Sequence, residues 1–82
     1  RNRFPSLEFA EEAMRCGGTM PAVMNAANEV AVEKFRRGEI GFARIWAIIE
    51  ATMHAHRPEP QRDLETIRNA DAEARRFAET LQ

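Results

Sequence analysis

Apolar residues return every three to four positions along almost the whole chain, and no stretch alternates β-branched and polar residues as a half-buried strand would. That periodicity, in a sequence rich in Ala, Glu, Arg and Met, points to helices alone. Gly17-Gly18, Gly38 and Arg57-Pro58-Glu59-Pro60 break it into segments. The expected fold is all-α: a small four-helix bundle with short connections and a short extra helical turn before the last helix. Short loops favour antiparallel neighbours.

The first helix should start near Pro5, which suits a first helical position, and close at Gly17-Gly18. Leu7, Ala10, Ala13 and Met14 would face inward, and Glu11 with Arg15 would pair outside. A second, longer helix should run from Pro21 to Gly38. Met24, Ala27, Ala31 and Phe35 line one side of it and Val23, Ala26 and Val30 the next, as in the central helix of a bundle. Glu33 and Arg37 would pair on its exterior. A third helix should cover Ala43 to His56, with Ile45, Ile48, Ile49 and Met53 inward. After the prolines, Asp63 can cap a short turn through Leu64 and Ile67. Asp71 can then cap a last helix carrying Ala74, Phe77, Ala78 and Leu81 at i, i+3, i+4 and i+7.

The charge balance, with 12 basic and 13 acidic residues and a net charge of −1, leaves no basic footprint for nucleic acid. Tyr is absent and Trp46 stands alone, so no platform for stacking single strands is available. No apolar run approaches the ~18–20 residues of a membrane span. A single cysteine, Cys16, forms no internal disulfide and fits a reducing cytoplasm. The chain opens on Arg1-Asn2-Arg3 with no initiating Met, which reads as a cut inside a longer protein, with residues 1–4 a linker remnant and 1–82 one domain.

Chemistry-bearing patterns are sparse. His54 and His56 sit two apart, so on a helix they point about 200° away from each other and cannot share a metal. Cys16 lies at a helix C-terminus, where the dipole disfavours a thiolate. Gly17-Gly18-Thr19-Met20-Pro21 lacks the Lys-Ser/Thr and the preceding strand of a phosphate loop, so a helix stop followed by a proline start explains it. Glu11 and Glu12 point apart, and Glu29 and Glu33 are helix neighbours with basic residues nearby. No catalytic, cofactor-binding or metal-ligating residue is expected in this chain.

Asn25, Asn28 and Glu29 are different. They sit at offsets of zero, three and four on one helix face, beside Ala26, Ala27 and Ala31, where a solvated face would carry Lys, Arg and Glu. Two readings stand side by side. Either the cluster solves a packing and hydrogen-bonding problem inside the bundle, or it is an interdomain surface ready to bond another domain's backbone.

The frame around it, FP-x-L-x-x-A, then GG-x-x-PA-V-x-NAANEVAVE-x-F, then Gly38, Ile40, Phe42 and Ile45, resembles the C-terminal domain of the 1-deoxy-D-xylulose-5-phosphate reductoisomerases. The likeness is specific from Phe4 to Ile49 and continues more weakly through Asp71-Ala72-Glu73-Ala74-Arg75. It implies a parent enzyme that uses NADPH and a divalent metal, Mg or Mn. That enzyme would convert 1-deoxy-D-xylulose 5-phosphate to 2-C-methyl-D-erythritol 4-phosphate in non-mevalonate isoprenoid synthesis. It also implies that the ligands of metal, phosphate and NADPH belong to preceding domains, with a second subunit as a further partner and no nucleic acid or membrane. The family usually has a hydroxyl side chain where this sequence has Ala43, so the third helix loses a cap contributing ~1 kcal/mol. Two other classes remain open: a free-standing helical interaction module, and a helix-turn-helix DNA binder drawn from the second and third helices, which the charge balance opposes.

Overall fold

The structure, a computed structural model, describes residues 5–60 and 63–81. Four helices follow in order: α1 (Pro5–Cys16), α2 (Met20–Arg36), α3 (Arg44–Ala55) and α4 (Leu64–Glu79), with no strand among the described residues. The linker reading of residues 1–4 and the inward placing of Leu7 and Ala10 lie outside the described residues and side chains.

Glycines end the first two helices as their backbone freedom allows. Gly17 and Gly18 take φ of 70° and 56°, and Gly38 takes 80°, a region costly for residues with a Cβ. Ala43 precedes α3 without a side-chain cap, as its methyl group dictates.

The second helix is central: it touches each of the others, while α1 and α4 do not touch. Its Val23, Ala26, Ala27 and Ala31 are fully buried. Against them pack Ile45, Ile48, Ile49 and Met53 of α3, Ala70, Ala74 and Ala78 of α4, and Ala13 of α1. Alanine on both sides of the α2–α4 contact lets the two backbones approach closely. The result is a slab of 36 × 31 × 16 Å.

Four expectations need correction. The short extra turn does not exist as a separate element, because α4 runs unbroken from Leu64 to Glu79. Asp63 caps it, its Oδ1 accepting from the Thr66 N–H and hydroxyl, both at 2.8 Å. Arg68-Asn69-Ala70 holds no breaker, and Ala70 is pinned in the core, so Asp71 stays inside the helix and takes Arg75 one turn on, at 2.9 Å. Met14 is 75% exposed, since α4 does not reach α1 and leaves that side of it uncovered by any other helix among the described residues. Phe35 is 40% exposed, because the core thins at the last turn of α2. Two surface pairs also change partner: Arg15 takes Glu12, and Arg37 takes Glu39 and Glu79. Buried Lys34 joins the same two carboxylates, at 3.3 and 3.9 Å.

Candidate functional site

On α2 the polar triad divides. Asn28 lies about 60° to one side of Asn25 and Glu29 about 40° to the other. α4 runs along the Glu29 side, so Arg75 donates from Nη2 to Glu29 Oε1 at 2.8 Å and from Nε to Asp71 Oδ2 at 2.9 Å. These bonds, that to Asp71 first, raise the guanidinium further above its already high ordinary value. Asn25 Nδ2 donates to Glu29 Oε2 at 3.3 Å. Asn25 and Glu29 are thus exposed but engaged, whereas Asn28 is half-buried, and its amide makes no hydrogen bond among the described residues. The three do not form one constellation, and they are not all buried against the chain's own helices.

A second cluster was not legible in the sequence. Thr19 is fully buried at the α1–α2 corner; its N–H donates to the Glu59 carbonyl at 2.9 Å and its Oγ1 accepts from the Glu59 N–H at 3.0 Å. The same Oγ1 lies 2.7 Å from His56 Nε2. A threonine between Gly-Gly and Met-Pro reads locally as a helix cap, yet its hydroxyl makes no cap bond and serves a segment 40 residues away. Gly18 therefore serves chain packing, since its Cα lies against the Glu59 backbone.

His54 and His56 line one cleft of about 410 Å³ with Glu12, Cys16 and Glu50, between the ends of α1 and α3. Even so, no three His, Cys, Asp or Glu side chains among the described residues are grouped to hold a metal.

Exposed Cys16 donates its thiol proton to Glu12 Oε2 at 3.6 Å. Local desolvation and the Glu12 carboxylate both push the thiol above its ordinary value, against a smaller opposing pull from Arg15. Cys16 is exposed, so the Glu12 carboxylate that accepts its proton is the stronger of the two. Less thiolate is then present at pH 8, so iodoacetamide should alkylate Cys16 more slowly than a free thiol. Glu12→Gln should speed the reaction at pH 8, with the two rate profiles converging at high pH. Equal rates at pH 8 would show that the carboxylate does not act on the thiol.

Comparison with known proteins places this arrangement. The family described as DXP reductoisomerase C-terminal domain matches residues 1–77. The 1-deoxy-D-xylulose 5-phosphate reductoisomerase of Heliobacterium modesticaldum is 58% identical over 76 residues, covering 93% of this chain and 19% of that protein. That of Rhodospirillum centenum is 47% identical over 79 residues, covering 96% and 20%. The solved 1-deoxy-D-xylulose 5-phosphate reductoisomerase from Zymomonas mobilis in complex with NADPH superposes with a TM-score of 0.89 at 44% identity, over 94% of this chain and 20% of that one. The chain spans about a fifth of the length of these relatives.

Proposed function

This chain belongs to the DXP reductoisomerase C-terminal domain family, and on that basis we propose that it is the single C-terminal helical domain of a 1-deoxy-D-xylulose 5-phosphate reductoisomerase. The observation that carries the reading is the near-complete superposition on one fifth of an NADPH-complexed reductoisomerase. The parent reduces and rearranges 1-deoxy-D-xylulose 5-phosphate to 2-C-methyl-D-erythritol 4-phosphate with NADPH and Mg or Mn, as a cytoplasmic homodimer. In this reading the preceding domains supply the hydride and metal chemistry, in keeping with the finding that no three His, Cys, Asp or Glu side chains among the described residues are grouped to hold a metal ion. The helical domain supports them, and Asn25, Asn28 and Glu29 are its candidates for the interdomain contact.

The 82-residue chain alone should neither bind NADPH nor oxidise it in the presence of substrate and Mn. Deleting the domain from the full-length enzyme should abolish turnover. Titration calorimetry and NADPH absorbance measure both. Turnover by the 82 residues alone, or a domain-deleted enzyme with unchanged kcat, would overturn the reading.

A further inference from the structure

Asn28, Val32 and Phe35 occupy one flank of α2, and an aromatic ladder carries that flank across the corner to α3. Phe35 meets Phe42 edge to face with centroids 5.8 Å apart, and Phe42 meets Trp46 in the same way at 5.8 Å. Phe42 is 61% exposed and Phe35 40%, with Val32 and Trp46 half-buried. We infer that this flank is the surface on which the preceding catalytic region of the same polypeptide packs, with the Asn28 amide bonding that region's backbone.

Three observations lead here. The first is continuity: the ladder joins three aromatic side chains into one patch, and contiguous apolar surface marks interaction sites where scattered residues do not. The second is the amide of Asn28, which sits beside Met24 and Val32 with no partner among the described residues. A carboxamide offers two donors and an acceptor, which suits a main-chain N–H and C=O at the margin of an apolar contact. The third concerns the occupant. In its relatives this domain makes up only 19–21% of the chain, so four fifths of each polypeptide is tethered to it. Tethering holds that region at high effective concentration, and a patch of modest size then suffices. The opposite flank is less available, because Arg75 already binds Glu29, which in turn holds Asn25.

The inference rests on the reading that a reductoisomerase surrounds the domain, and the test separates the two. Trp46, the one tryptophan of this chain, is the reporter. Its ¹⁹F resonance, after 5-fluorotryptophan labelling and assignment with Trp46→Phe, is compared between the 82-residue chain and the full-length enzyme. The expected result is a shifted resonance in the full-length enzyme with a smaller H₂O/D₂O isotope shift, reporting loss of solvent. In the full-length enzyme Phe42→Glu should lower kcat/KM roughly tenfold or more. Asn28→Ala should lower it more than Glu29→Ala does, and Glu33→Ala, on exposed surface, should stay within about twofold of wild type. Circular dichroism of Phe42→Glu, with Phe42→Ser beside it, separates unfolding from lost docking, and the wild-type resonance needs no variant. An identical Trp46 environment in both proteins would overturn the inference while leaving the function reading intact. A Trp46 shift that appears in the 82-residue chain on concentration would make a second copy the occupant and also overturn it. Full activity after deletion of the domain would instead overturn the reading itself.

Discussion

Ile48→Ala should destabilise the chain by about 3–4 kcal/mol, whereas Phe35→Ala should cost only about 1–2 kcal/mol. Ile48 is 1% exposed, among the largest fully buried side chains, and faces the centre of α2 from the middle of α3. Removing it deletes the transfer energy of three carbons and leaves a cavity that the alanines of α2 are too short to fill. Phe35 keeps 40% of its surface in water and gives up mainly its edge-to-face contact with Phe42. A domain of this size is stable by roughly 5–10 kcal/mol, so Ile48→Ala should leave a marginal fold and Phe35→Ala a sound one. Urea midpoints on both variants measure the difference. Equal losses would mean that Phe35 is as buried as the helical wheel alone suggests.

That contrast shows what periodicity can and cannot give. Spacing placed Val23, Ala27, Ala31, Ile45, Ile48, Ile49 and Met53 correctly, because each lies on the face where its helix meets a neighbour, and each is buried. It misplaced Met14 and Phe35, which have the right phase but are 75% and 40% exposed, Phe35 covered only in part by its edge contact with Phe42. Phase is a property of one helix; coverage depends on how far the others extend. The fused α4 is a related case. Asp71 has the chemistry of a cap, but a cap needs a break before it, and the buried Ala70 continues the helix. The polar triad was legible as a face and not as a partnership, since only the position of Arg75, 46 residues on, separates Glu29 from Asn28. Least legible was the Thr19 cluster, whose bonds to His56 and Glu59 span 37 and 40 residues with no local pattern to announce them.

Gly18→Ala should cost far more than Gly17→Ala, although both glycines hold positive φ, 56° and 70°. Any L-residue pays about 1–2 kcal/mol for that backbone region. At Gly17 nothing lies near an added Cβ, so the loss should stop there, lowering the melting temperature by roughly 5–10 °C. At Gly18 an added Cβ meets the carbonyl of Glu59, which is backbone and has no rotamer to yield with. Relief requires the segment after α3 to move away. That motion breaks the Thr19–Glu59 pair of hydrogen bonds, one in each direction, and draws His56 from the buried Thr19 hydroxyl. Each such bond contributes about 1 kcal/mol, and a stranded buried hydroxyl costs a further ~1–3 kcal/mol, so the total should reach about 3–5 kcal/mol. In calorimetry Gly18→Ala should melt roughly 15 °C or more below wild type. Equal melting of the two variants would show that the corner does not depend on the close approach of Gly18 to Glu59. A Thr19→Val background sharpens the distinction. With the hydroxyl already gone, part of what Gly18→Ala breaks is lost beforehand, so the gap between the two glycine variants should narrow.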